Sequence, residues 1–164
     1  MEAKKQIMVL TGSITYTVET ARNEAFDGIE YQISMEPYKK YFKDPNYGKN
    51  KKAMANGQED LSDRWIGYFS NGTYNIVYKN DRYTEYTYDS TGKLELIYIR
   101  TSFNFPAKSY TYDLAGKLNG VSFYTRVNDK VHIFTYNADG SFDSHYINGK
   151  FYDKDGKLIL ERVQ

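Results

Sequence analysis

A chain of 164 residues is long enough to bury a core, and with a net charge of +1 and 18 tyrosines it is too aromatic and too weakly charged to be disordered. The absence of cysteine excludes disulfides, thiolate chemistry and cysteine-ligated metals. The near-neutral balance argues against wholesale coating of nucleic acid, which needs a basic footprint.

At the N-terminus, Ile7-Met-Val-Leu10 is too short for a signal-peptide core or a membrane span, so the chain reads as cytoplasmic by default, with export left open. Residues 7–18 and 26–35 alternate in the manner of strands, with Asp27-Gly28 as a turn or bulge signal. Residues 37–64 break that alternation. Pro37, Pro45, Gly48 and Gly57 punctuate a polar stretch expected to be a long loop or a loop around one short helix. From Trp65 onward strands and turns follow one another with no room for a helix.

Four copies of one turn cassette organise this second part: Tyr86–Leu94, Tyr110–Leu118, Phe134–Phe142 and Phe151–Leu158. Each carries Asp or Asn ahead of a glycine, at Gly92, Gly116, Gly140 and Gly156. The Asp accepts backbone N–H bonds and the Gly supplies a positive φ, which predicts a type I turn closed by a left-handed glycine. Between them, Asn80-Asp81, Asn128-Asp129 and Asn148-Gly149 suit two-residue type I′ turns. Alternating turns of these two types give an antiparallel meander of tandem hairpins, with roughly ten to twelve strands at ordinary strand length.

Simple register counting pairs Tyr88 with Leu94, Tyr86 with Leu96 and Tyr78 with Tyr83, so both sides of the sheet are partly apolar. The expectation is an all-β single domain closing into a barrel or a strongly curved sheet. Residues 1–64 supply non-repeat strands and a lid-like loop, and residues 65–164 the hairpin repeats. Open edges would otherwise invite pairing, which makes a homodimer the alternative to closure.

The cassette resembles the YD repeats of Rhs and wall-associated proteins, whose core reads Tyr-x-Tyr-Asp-x-x-Gly-x-Leu. Tyr86–Leu94 and Tyr110–Leu118 match every fixed position, whereas Phe134–Phe142 departs at Tyr, Asp and Leu. Trp65-Ile-Gly-Tyr-Phe-Ser-Asn-Gly72 looks more like the variant MORN repeat of antitoxin components. The resemblance covers about residues 65–158 and implies a scaffold or interaction module. It implies no cofactor.

Candidate chemistry is sparse. Register counting sets Ile133 opposite His145 and His132 opposite Tyr146, which sends the two histidines to opposite faces and denies them a shared metal. Asp143 and His145 fall on one face, but nothing supplies a nucleophile or an oxyanion hole. Asp153-Lys-Asp-Gly156 fails as a calcium loop, because its Gly falls at the fourth loop position rather than the sixth. No phosphate loop, HExxH motif or GxSxG elbow is present.

Two surfaces remain. Tyr86, Tyr88, Tyr98, Tyr110, Tyr112 and Tyr124, with Arg100 and Arg126, form a ladder able to line a ligand face, or equally to serve as cross-strand pairs. Tyr38, Lys39, Lys40, Tyr41, Phe42 and Lys43 mix lysines with stacking rings, the composition of an anionic-ligand surface or of a lid whose aromatics close onto the sheet. The function expected is non-enzymatic, a binding or scaffold module with a protein or glycan partner. The alternative is a small-molecule barrel with residues 37–64 as its lid.

Overall fold

The computed structural model describes residues 9–11, 14–16, 18–48 and 57–161. Their contacts divide the chain into two compact units, one of residues 1–30, 101–110 and 119–164, the other of residues 31–100 and 111–118. The strands are β1 (Val9–Thr11), β2 (Ile14–Tyr16), β3 (Gln58–Asp60), β4 (Arg64–Tyr68), β5 (Tyr74–Tyr78), β6 (Asp81–Tyr88) and β7 (Leu94–Arg100). They continue with β8 (Ala107–Tyr112), β9 (Leu118–Val127), β10 (Lys130–Asn137), β11 (Phe142–Ile147), β12 (Lys150–Asp153) and β13 (Leu158–Glu161). β1 and β2 pair with each other, and β3 to β13 form one ladder in chain order.

The meander is therefore present, but the ladder is not closed: β3 and β13 are its two ends. The mixed apolarity that suggested closure has another outlet, because the N-terminal segments cover one face in each unit. Residues 26–35, expected as a strand, contribute only a single bridge, Gln32 to Lys117. Ahead of them α1 (Val18–Phe26) was not expected at all. Ala21 and Ala25, one turn apart, are both fully buried, so α1 packs closely through its smallest side chains. Residues 37–64 do contain one short helix, a 3₁₀ helix over Glu36–Tyr41 entered at Pro37.

The cassette turns form as their chemistry requires. In the first, the Asp89 amide donates to the Lys93 carbonyl, and Asp89 Oδ1 accepts from the Thr91 and Lys93 amides at 2.8 and 3.1 Å. Gly92 stands at φ +81°, where an L side chain is strained. The second and fourth turns repeat this with Asp113 and Asp153. Asn128-Asp129 and Asn148-Gly149 have positive φ at both residues, as type I′ turns demand.

Past the turns, register counting slips by one residue. Tyr88 does face Leu94, but Tyr86 faces Ile97 rather than Leu96. A β-bulge is the cause: Glu95 is an extra residue on β7, and Asp143 and Ile159 occupy the same place in β11 and β13. The turn expected at Asn80-Asp81 falls one residue earlier, at Lys79-Asn80, and Tyr78 faces Asp81 instead of Tyr83.

Candidate functional site

In the unit holding β3–β7, residues 31–48 cover one side of the strands. Tyr41 lies over the sheet with its ring 4.5 Å from that of Tyr86 and 5.1 Å from that of Tyr78, and Tyr38 packs on Tyr86 at 6.4 Å. The Tyr88 hydroxyl donates to the Tyr41 carbonyl, and the Tyr74 hydroxyl donates to the buried Asp44 carboxylate, both at 2.8 Å. Burial is the main reason the Tyr74 and Tyr88 phenols are pushed above the usual tyrosine range. Tyr78, whose hydroxyl is buried without a hydrogen-bond partner, is pushed up to about 12.

The lysines of this segment are engaged locally. Lys39 pairs with Glu36 at 2.7 Å, Lys40 lies over the Tyr41 ring, and Lys43 donates to the Thr91 carbonyl while lying over Tyr47. Lys49, Lys51 and Lys52 fall outside the described residues.

Two short strips of this segment add backbone bonds to cassette turns. Phe42-Lys43-Asp44 runs along Gly92-Lys93-Leu94, and Tyr31-Gln32-Ile33 runs along Gly116-Lys117-Leu118. Of these six strip residues, only Phe42 and Lys43 are candidate site residues by sequence, and they are so for their side-chain chemistry.

The eight ladder residues do not share one surface. Tyr86, Tyr88 and Tyr112 are buried at 4, 0 and 2% exposure, so they serve as packing beneath cover. Tyr98 faces Glu85, on the side of β3–β7 away from Tyr86, and Arg100 follows it by two residues. Tyr124 faces Ile133 and Arg126 faces Val131 in the other unit. Tyr110, the counterpart of Tyr86, is only half-buried, because β8 buries Thr111 and Tyr112 in succession and so changes sides at its end.

The side of β3–β7 away from residues 31–48, uncovered among the described residues, carries two cross-strand rows. One runs Asp60, Trp65, Val77, Glu85, Tyr98, and the next Gln58, Gly67, Asn75, Thr87, Leu96. Trp65 is 38% exposed, with Lys79 Nζ and the Arg82 guanidinium 5.0 and 5.8 Å from its ring centre. Asn75 Nδ2 donates to Glu85 at 2.7 Å, while burial raises the Glu85 carboxyl above its ordinary value. In the other unit, the uncovered side of β9–β12 carries Tyr124, Ile133, Tyr146 and Phe151 in one row, with the Arg126 guanidinium 4.9 Å from the Phe105 ring centre.

The expected separation of the histidines is wrong. Because Asp143 is bulged, His145 faces Phe134 and His132 faces Ile147, which puts both imidazoles on the covered side of their unit. His132 Nδ1 and His145 Nε2 are 3.4 Å apart, and His145 stacks on Phe134 at 4.3 Å and 12°. His145 is 1% exposed and its Nδ1 has no partner. Burial, and secondarily its neighbour His132, pushes it down to about 3. Burial and then Lys130 lower His132 as well. Asp143 is exposed, so the carboxylate–imidazole pair read from the sequence does not form. Among the described residues no three His, Asp or Glu side chains converge as a metal site.

No protein-family model, curated protein or solved structure matches this chain. Among the described residues no helix is long and apolar enough to cross a membrane.

Proposed function

We propose that this protein is a non-enzymatic binding module whose uncovered sheet sides dock a protein partner. The observation that carries this reading is the difference between the two sides within each unit. One is sealed by the chain's own N-terminal segments; the other presents rows of half-exposed tryptophan, tyrosine and aliphatic side chains flanked by arginine. Trp, Tyr and Arg dominate the energetic centres of protein interfaces. The YD-like character of the cassettes and the MORN-like character of Trp65–Gly72, taken as kinship, fit a scaffold of this kind.

A protein suits these sides better than a glycan. Sugar recognition wants polar side chains free to meet hydroxyls, whereas Asn75 and Glu85 bond to each other and Lys79 pairs with Asp60 at 2.5 Å. A ligand-holding barrel has less support, since among the described residues β3 and β13 do not pair with each other and Tyr38 and Tyr41 lie directly on Tyr86 and Tyr78. The test compares affinity capture by the native chain with capture by Trp65→Glu and Ile133→Glu, each checked for an unchanged circular dichroism spectrum. Loss of one defined protein partner with either variant supports the proposal. A glycan-array signal abolished by Trp65→Glu, or a small molecule co-purifying in stoichiometric amount, overturns it.

A further inference from the structure

The four cassettes are alike in turn geometry and unlike in cover. At the first, the Leu94 amide donates to the Phe42 carbonyl and the Asp44 amide to the Gly92 carbonyl, both at 2.8 Å, while Lys43 Nζ reaches the Thr91 carbonyl. At the second, the Leu118 amide donates to the Tyr31 carbonyl and the Ile33 amide to the Gly116 carbonyl, both at 2.9 Å, while Gln32 Nε2 reaches the Ala115 carbonyl at 2.7 Å. Two unrelated tripeptides thus make the same three bonds: an aromatic residue, then a long polar donor, then an amide. In both, cover lies where the turn glycine lacks a Cβ. A Cβ at Gly92 would stand 2.5 Å from the Tyr47 ring, and one at Gly116 would overlap the Ile33 carbonyl oxygen.

The third turn meets a side chain, Arg22 Cδ lying 3.8 Å from where a Gly140 Cβ would be. The fourth has the same internal bonds, with the Asp153 amide to the Lys157 carbonyl at 2.8 Å and the Gly156 amide to the Asp153 carbonyl at 2.9 Å. Yet among the described residues nothing lies within 4 Å of a Cβ at Gly156. Leu158 is 45% exposed, whereas its counterparts Leu94 and Leu118 are 1 and 4% exposed. Beside it, the bulge position holds Ile159, 57% exposed, where the other cassettes place Glu95, Asn119 and Asp143.

We propose that the fourth cassette, Asp153–Leu158, is a docking site for an extended segment of a partner protein in which an aromatic residue is followed by lysine. The segment's main chain bonds the Gly156 carbonyl and the Leu158 amide, and its aromatic residue lies beside Leu158. Its lysine reaches the Asp155 carbonyl, the counterpart of the Thr91 and Ala115 carbonyls. Lysine is taken from the first strip, where Lys43 makes this bond; at the fourth turn Asp155 adds a carboxylate where Thr91 and Ala115 have none, and Lys154 adds a cation where Ser90 and Leu114 are neutral. The other turn with an aspartate at this place, Asp139, is the one that meets Arg22. Addition of a short extended segment to exposed backbone is an established recognition mode. The site is a turn edge and does not depend on the uncovered sheet sides.

The chain's own strip supplies the probe, a capped peptide of residues 40–46, Lys-Tyr-Phe-Lys-Asp-Pro-Asn. Titrated into the whole ¹⁵N-labelled chain, it is expected to shift the Gly156, Lys157 and Leu158 amides saturably, with a Kd below about 1 mM. A peptide with alanine in place of Lys43 should bind at least about fivefold more weakly. In the protein, Gly156→Asn keeps a residue tolerant of the left-handed region but fills the docking face. It should abolish the response while leaving the remaining spectrum unchanged. Three results overturn the proposal: no saturable shift at about 5 mM peptide, shifts centred on Gly92 or Gly116 instead, or the same amides shifting with protein concentration alone, which would make a second copy the occupant.

Discussion

Acid should destabilise the unit that holds His132 and His145 well before the carboxylates titrate. His145 is buried, stacked on Phe134 and pushed down to about 3, against an ordinary histidine value of about 6.5 in the unfolded chain. A histidine with a depressed folded-state value binds its proton in the unfolded state first. Its contribution is therefore complete above pH 6.5 and is lost as pH falls from there toward 3. From those two values the loss is about 2 kcal/mol at pH 5 and about 3 kcal/mol at pH 4. His132 is lowered in the same direction and adds to the effect. Urea unfolding followed by far-ultraviolet circular dichroism at pH 7, 6 and 5 measures it, with His145→Leu as the reference. Between pH 7 and pH 5 the stability of the native chain relative to the variant should fall by about 2 kcal/mol. A difference constant to within about 0.5 kcal/mol across that range would refute the buried, neutral imidazole.

Glycine substitutions separate cover from turn strain. Gly116→Ala and Gly156→Ala share a left-handed backbone, φ +79° and +82°, and so share a strain of about 1–2 kcal/mol. Only the first also displaces Ile33 and the two backbone bonds of its strip, so it should cost about 1–3 kcal/mol more, read from urea midpoints. Asp44→Ala leaves the Tyr74 hydroxyl without its acceptor and should cost about 2 kcal/mol, while Asp44→Asn, which retains an acceptor oxygen, should recover part of it. Tyr41→Ala removes the ring lying between Tyr78 and Tyr86 and should cost about 2–3 kcal/mol in the same assay. A double-mutant cycle with Tyr86→Leu should show about 1 kcal/mol of coupling.

What the sequence discloses divides along a physical line. Turn chemistry is local, so Asp89, Asp113 and Asp153 with their glycines could be placed from side-chain acceptors and positive φ alone. The bulges are local too, but their residues, Glu95, Asp143 and Ile159, share no side-chain property, because a bulge is a backbone event that leaves no composition behind. One uncounted residue sends every later side chain to the other side. The slip at Asp143 separated His132 from His145, and the one at Glu95 misplaced Tyr86 against Leu96. Helix α1 was hidden for a different reason. Its Val-Glu-Thr-Ala-Arg-Asn-Glu-Ala-Phe sequence buries two alanines, which give little hydrophobic contrast against a strand pattern.

Burial within the repeat cannot follow from the repeat itself. Leu94, Leu118 and Leu158 end cassettes of the same turn geometry yet are 1, 4 and 45% exposed, and Leu158 alone lies on an end strand of the ladder. The cover comes from residues outside the array: Phe42–Asp44 at the first turn, Tyr31–Ile33 at the second and Arg22 at the third. A methyl group at Gly116 would collide with the strip and one at Gly92 with the Tyr47 ring, so glycine at these two turns leaves room for the cover each receives. Retaining that glycine at 156, and placing Ile159 where its counterparts are polar, leaves the fourth turn built for cover that the described part of its own chain does not supply.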